Sequence, residues 1–149
     1  MPTRNASATW EGGIKGKGSF KGESGGVGAA YSFGSRFENA SGSNPEELLA
    51  AADAACYSMA LSLGLERAGA TNVRVDTKAA CTVEKVGEGF KITTMKLVTR
   101  ARADGVDQAK FREIAEAMKE GCPVSSALKG NVRFELDAQL EGAAAGAAR

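Results

Sequence analysis

The chain has 149 residues with a hydrophobic share of 43%, enough for one domain with a real core. Nineteen Lys and Arg stand against eighteen Asp and Glu, a net charge of +1 with no basic stripe, which argues against nucleic acid and anionic membrane as main partners. There is no histidine, which removes Ser-His-Asp and Cys-His hydrolysis, the commonest general base and most zinc and iron sites.

Thiol and carboxylate chemistry remain. Three cysteines in a chain of this kind read as buried thiols, a catalytic thiol or a redox pair, not as a disulfide scaffold. The opening residues, MPTRNASATWEG, hold no apolar signal core, so a cytoplasmic location is expected. The apolar runs read as too short and too Ala-rich to span a bilayer.

In chain order, residues 5–37 read as a β meander. Ala6, Ala8 and Trp10 alternate with polar neighbours, GGIKGKG is a turn, residues 19–21 are a second strand, and AAYSFGSRF is extended. The glycines here match no phosphate-loop pattern, since no strand–GxGxxG–helix or GxxxxGK[ST] arrangement is present. A long helix is expected over 44–69, with Asn44 as N-cap, Pro45 in the first turn, Glu47 completing a capping-box-like pair with Asn44, and Gly69 as stop. Between Leu48 and Leu65 its only charge is Asp53, and an all-round apolar helix is expected to be buried all round, which calls for a partner subunit.

After the helix, 73–84 alternates with Val73, Val75, Thr77, Ala79, Cys81 and Val83 on one face. The turn Gly87-Glu88-Gly89 leads into a return strand, 90–103, whose apolar parity switches near Thr93-Thr94 and so implies a bulge. Asp107 caps a second helix over 108–120, a short helical piece covers 123–129, and Val132, Phe134, Leu136, Ala138 and Leu140 alternate as a last strand. The order β-β-β-α-β-β-α-α-β implies an α+β fold with mainly antiparallel sheet, as one domain over 1–140. Residues 141–149, EGAAAGAAR, read as a frayed low-complexity tail to which no function is attached.

Cys81 falls on the inward parity of its strand and is explained as a small buried hydrophobe. Cys122 sits at the start of the helix opened by Pro123, where dipole and free N–H groups favour a thiolate; a Gly-Cys-Pro turn that merely joins two helices explains it equally well. Cys56 lies about three turns into the long helix, too deep for the dipole, and apolar surroundings raise a thiol's pKa, so by physics alone it reads as filler. A reactive Cys56 needs a cation from elsewhere, with Arg36, Lys15 and Lys17 as candidates. Glu47 has its capping task, which leaves Glu46 free. Glu46 and Cys56 are roughly 15 Å apart along a straight helix and cannot touch within one chain.

NPEELLAAADAACYSMAL, followed about sixty residues later by GCPVSSALKGNV, resembles the OsmC/Ohr family of organic hydroperoxide reductases. WEGGIKGKG and YSFGSRFE extend the resemblance to roughly Trp10–Leu140, and GCPVSSAL with SFGSRFE looks like the osmotically inducible (OsmC) branch. The resemblance implies an OsmC-like fold, in which antiparallel sheets wrap long central helices in an intertwined homodimer with active sites at the interface. Cys56 falls on the peroxide-reacting cysteine, Cys122 on the resolving cysteine, Arg36 on the arginine beside the reactive thiol, and Glu46 on the glutamate that orients its guanidinium. Cys81 has no counterpart.

The implied activity is thiol-dependent reduction of organic hydroperoxides, and less efficiently of hydrogen peroxide, in oxidative or osmotic stress. It passes through a Cys56 sulfenic acid and a Cys56–Cys122 disulfide recycled by a lipoyl-type dithiol, with no cofactor or metal. The readings that compete are a non-catalytic dimeric stress or redox-sensing protein with packing cysteines, and a thiol metal site, which three distant cysteines without histidine support poorly.

Overall fold

The computed structural model describes residues 1–141. The chain divides into two compact units, Met1–Leu48 and the part from Leu49 onward.

The first unit carries β1 (Ala6–Glu11), β2 (Lys17–Gly22) and β3 (Gly28–Ser32), an antiparallel sheet in the order β1-β2-β3. Trp10 and Phe20 flank Tyr31, with ring centroids 5.2 and 5.8 Å from it, the spacing of edge-tilted aromatic pairs. Gly18 lies where a Cβ would stand 2.8 Å from Tyr31 and 2.9 Å from Trp10, so the rings close over this position because it has no side chain.

The segment expected to stay extended through Phe37 instead turns helical as α1 (Phe33–Phe37). The cause is a reciprocal cap: the Ser35 N–H donates to Ser32 Oγ at 3.1 Å, and the Ser32 N–H donates to Ser35 Oγ at 2.8 Å. The aromatic residues of SFGSRF read as strand because alternation cannot see that pair of serines.

The long helix, α2 (Pro45–Arg67), starts in the first unit and runs through the second. Asn44 Oδ1 accepts the Glu47 N–H at 2.8 Å, as a cap should. The other half of the expected capping box is absent: the Glu47 carboxylate accepts the Ser43 hydroxyl instead. Gly69, at φ +87°, takes the left-handed turn that ends the helix.

The second unit holds β4 (Thr71–Val86), β5 (Gly89–Asp104), α3 (Gln108–Gly121), α4 (Pro123–Leu128) and β6 (Arg133–Glu141). Its sheet has the order β4-β5-β6. β4 and β5 pair antiparallel, and the bulge falls where the parity predicts it: Thr82 faces Thr94 and Val83 faces Ile92, leaving Thr93 as the extra residue. β6 pairs parallel to β5, so this sheet is mixed and not antiparallel throughout. The α3–α4 crossover returns the chain to the same end of the sheet, and that connection imposes the parallel direction. β6 takes in Glu141, which the sequence reading gave to the tail; residues 142–149 lie outside the described residues.

The core lies in the second unit. Tyr57, Leu61 and Leu65 of α2 are completely buried, in one cluster with Met95, Leu97, Phe111 and Ala115. Burial of each large side chain contributes about 1.5–3 kcal/mol. Several polar groups inside are matched: the Tyr57 hydroxyl donates to the Ala115 carbonyl at 2.8 Å, and Ser58 Oγ donates to Thr77 Oγ1 at 2.8 Å, which in turn meets Thr99 Oγ1 at 2.9 Å.

Burial on α2 is confined to one stripe within the chain. Met59 and Leu63 are exposed by 73% and 42%, and Ala51, Ala52 and Ala55 are exposed as well, so the expected all-round burial is not met by a single subunit. α2 is also long and apolar enough, by length and composition, to cross a membrane, with a mean hydropathy of 1.5. That corrects the reading of the apolar runs as too short: Asp53 interrupts a run but hardly lowers an average. The buried stripe, bonded to α3 through Tyr57 and to β4 through Ser58, gives α2 the place of a core helix.

Candidate active site

In the first unit the structure brings Arg36 to Glu46. The guanidinium grips the carboxylate by both Nε, at 3.1 and 3.2 Å, and a terminal nitrogen at 2.7 Å. The Glu46 side chain is 7% exposed and that of Arg36 is 36% exposed. A fork of this kind fixes the plane of the guanidinium and leaves its remaining donors directed elsewhere. The Arg36 guanidinium also lies 5.1 Å from the centroid of the Phe37 ring. α1 makes this possible. Ser35, whose hydroxyl donates to the Ser43 carbonyl at 2.7 Å, ties α1 to the segment before α2. Asn44 adds a second tie, its side-chain N–H donating to the Ser35 carbonyl at 3.0 Å. The other two candidate cations have different surroundings: Lys15 Nζ sits 5.8 Å from the centroid of Phe33, and Lys17 is exposed on β2.

In the second unit the structure brings Cys56 to Cys122. Cys56, Cys81 and Cys122 are all thiols, none in a disulfide. Cys122 lies near enough to Cys56 to act on its thiol. Cys56 lies partly buried on α2, and Cys122 is completely buried between α3 and α4. The Cys122 N–H donates to the Met118 carbonyl and ends α3, while its carbonyl accepts the Ser126 N–H and begins α4. One residue thus closes one helix and opens the next, and this joint holds its side chain towards α2.

Cys122 stands at the start of α4, where the sequence reading placed it, but its side chain is turned away from the helix end. α4 has six residues, and the Cys122 side chain makes no cap hydrogen bond. Its Sγ instead donates to Asp53 Oδ1 across 3.8 Å, long but within range for sulfur. Ser125 Oγ donates to the same oxygen at 2.6 Å. Asp53, Cys56 and Tyr57 share a helix face because residues three and four apart do so.

The environment opposes ionisation of Cys56. Burial pushes the thiol up first; the Val124 backbone N–H pulls it down; then Cys122, by hydrogen bond and by charge, and Asp53, by charge, push it up again. Tyr57 is pushed up as well, by burial and then by Glu116 and Cys122. Cys81 lies on β4, partly buried and packed against the core cluster. Among the described residues no group of three or more Cys, Asp and Glu is placed to hold a metal ion.

Sequence reasoning singled out both thiols, Arg36 and Glu46, and missed Asp53 and Ser125. The signal for Asp53 was present: a lone charge in an apolar helix, three residues before a cysteine, on the side that must be buried.

The OsmC-like protein family model matches residues 38–137 of this chain. That stretch includes Glu46, Cys56 and Cys122 and begins just after Arg36. The chain is 46% identical over 140 residues to the peroxiredoxin OsmC of Escherichia coli, covering 93% of this chain and 96% of the relative. It is 34% identical over 104 residues to the organic hydroperoxide resistance protein OhrB of Bacillus subtilis, covering 67% and 72% of the two chains. Among solved structures, an organic hydroperoxide resistance protein from Elizabethkingia anophelis superposes with a TM-score of 0.69 at 27% identity, covering 95% of this chain and 98% of the other.

Proposed function

The chain belongs to the OsmC-like protein family, and from that membership we propose that it is a thiol peroxidase that reduces organic hydroperoxides to alcohols. The observation that carries this reading is the approach of Cys56 and Cys122, two thiols from distant parts of the chain that become neighbours in the fold. The names of the relatives, a peroxiredoxin and organic hydroperoxide resistance proteins, support it.

In the proposed mechanism the Cys56 thiolate attacks the near oxygen of the hydroperoxide. The O–O bond breaks, the hydroxyl oxygen passes to sulfur so that Cys56 becomes a sulfenic acid, and the departing alkoxide takes a proton from water to leave as the alcohol. Cys122 condenses with it, releasing water and forming the Cys56–Cys122 disulfide. An external dithiol of the dihydrolipoyl type returns both thiols.

The surroundings of Cys56 push its thiol up, so the thiolate needs a cation. We assign that role to Arg36, held in plane by Glu46. The protein acts as a homodimer in this reading, supported by the apolar residues that one chain leaves exposed on α2, Met59 and Leu63 among them. The apolar lining that disfavours the thiolate favours an alkyl hydroperoxide over hydrogen peroxide. A cytoplasmic location, where dithiol reductants persist, completes the proposal.

The test is coupled turnover with an alkyl hydroperoxide and dihydrolipoamide, run beside hydrogen peroxide. Cys56→Ser abolishes turnover, and Cys122→Ser allows one stoichiometric oxidation of Cys56 without efficient cycling. Full activity in Cys56→Ser defeats the mechanism. Oxidation of the wild-type thiols without peroxide consumption beyond stoichiometry indicates a redox sensor instead.

A further inference from the structure

The mechanism leaves one buried ionisable group unused. Asp53 is completely buried. Its Oδ1 accepts from Ser125 Oγ at 2.6 Å and from Cys122 Sγ at 3.8 Å. Its Oδ2 is also buried and has no hydrogen-bond partner among the described residues. A carboxylate in such a place is costly, and an amide or an apolar side chain of similar size would fill the space at less cost. What a carboxylate adds over an amide is the capacity to take a proton, and the thiol that donates to it is Cys122.

We propose that Asp53 is the proton acceptor of Cys122 in the disulfide-forming step, with the Ser125 hydroxyl holding the carboxylate in place. The proposal rests on the reading of Cys56 as the peroxide-reacting thiol and Cys122 as its resolving partner. The step begins with Cys56 as sulfenic acid and Cys122 as thiol. The Cys122 S–H proton passes to Asp53 Oδ1. The thiolate sulfur attacks Cys56 Sγ, the S–S bond forms and the S–O bond of the sulfenic acid breaks. The departing hydroxide takes the proton held by Asp53 and leaves as water, which restores the carboxylate. The peroxide has already supplied the oxidising equivalents at Cys56, so no further oxidant enters.

This division of labour accounts for a contradiction in the site. A negative charge beside Cys56 opposes the thiolate needed for the first step. The same charge beside Cys122 draws off the proton needed in the second. The ionisable groups around the two thiols are Asp53 and Tyr57 on α2, with Glu116 of α3 acting on Tyr57; α4 offers the Ser125 hydroxyl and the Val124 N–H. Tyr57 already donates to the Ala115 carbonyl, which leaves Asp53 as the acceptor that Cys122 reaches.

The experiment follows the two steps separately in the full chain. Reduced protein is mixed with one equivalent of tert-butyl hydroperoxide and quenched; the Cys56 sulfenic acid is trapped with dimedone, and the disulfide is followed by mass. Asp53→Asn keeps an oxygen for Ser125 but cannot accept the Cys122 proton. It is expected to slow the disulfide step about 100-fold relative to Cys56 oxidation, so that sulfenic acid accumulates. Raising the pH above about 8.5, where a thiol ionises unaided, restores most of the lost rate.

An Asp53→Asn protein that forms the disulfide at the wild-type rate, with the wild-type pH profile, overturns the proposal. Should that variant fail to fold, the wild type decides: its disulfide rate is expected to be flat from about pH 7 to about pH 9, and a rate that climbs about tenfold per pH unit below the ordinary thiol pKa overturns the assignment. Absence of any trapped sulfenic acid in the wild type and in Cys122→Ser overturns the peroxidase reading itself, which is a separate failure.

Discussion

Gly64 of α2 faces Ile114 of α3 so closely that a Cβ on Gly64 would stand 2.7 Å from Ile114 Cγ2. Met118 closes the same gap, its Cγ and Sδ at 3.0 and 3.1 Å from that position. The absent side chain sets the approach of the two helices. That approach lets the Tyr57 hydroxyl reach the Ala115 carbonyl, and it sets the height at which α3 delivers Cys122.

Gly64→Ala therefore tests the helix contact. A glycine in a helix interior costs about 0.5–1 kcal/mol relative to alanine, but overpacking costs about 1–3 kcal/mol, so the variant is expected to lose about 1 kcal/mol net. Gly64→Val loses more and also slows disulfide formation, because α3 must move outward. Urea denaturation measures the first effect; a Gly64→Ala midpoint equal to or above the wild type refutes the close-packing argument.

Arg36→Ala leaves the Glu46 carboxylate, 7% exposed, without its cation. Stability is expected to fall by about 2 kcal/mol. If Arg36 activates Cys56, the rate of Cys56 oxidation by peroxide falls in parallel and its pH profile moves upward, since the remaining influences on that thiol mostly raise it. Stopped-flow oxidation across pH separates the two effects. A variant that loses stability yet keeps the wild-type pH profile assigns Arg36 to structure alone.

Two groups contribute at opposite ends of the pH–stability curve. Tyr57 is buried and its phenol is raised, so the folded state favours the neutral form; its contribution is fully present below the ordinary phenol value of about 10 and is lost as pH rises. Asp137 is lowered by hydrogen bonds from Arg100, so its contribution is present above the ordinary carboxyl value of about 4 and is lost as pH falls. Tyr57→Phe should flatten the alkaline limb, and Asp137→Asn the acid limb, the latter only at low salt because the pair is exposed. Thermal melts across pH, repeated at high salt, check both; an alkaline limb unchanged in Tyr57→Phe refutes the first assignment.

Tyr57→Phe has a further consequence at neutral pH. It removes the hydroxyl's bond to the Ala115 carbonyl, which keeps its place in the α3 ladder, at an expected cost of about 1 kcal/mol. Tyr57→Leu adds a packing defect and is expected to cost clearly more by the same urea assay. A Tyr57→Phe protein as stable as the wild type rules out a contribution from the hydroxyl, and equal losses in the two variants rule out one from the packing of the ring.

Much of this architecture was legible because period and punctuation are local. The parity switch in β5 located the bulge at Thr93, and Asn44, Gly69 and Asp107 marked helix ends where caps are found. α1 was hidden because two serines outweigh three β-prone neighbours, Tyr31, Phe33 and Phe37. The parallel direction of β6 was hidden because alternation is the same in either direction. The meeting of Cys56 with Cys122 was implied by family resemblance only: no local pattern joins residues so far apart in sequence. Asp53 was visible as an oddity, but its partner Ser125 lies on another helix, and a buried hydrogen bond between helices has no signature in either one.

The parallel seam between β5 and β6 also orders events during folding. An antiparallel neighbour can join as soon as a tight turn is made, as β5 joins β4, but β6 must wait for α3 and α4 to be laid down. Cys122 lies inside that crossover. While the protein is being synthesised, Cys56 therefore spends its early life without Cys122 beside it, and under the proposed mechanism a nascent chain meeting peroxide then stops at the sulfenic acid. The sheet that closes last makes the meeting of Cys56 and Cys122 one of the final features the growing chain acquires.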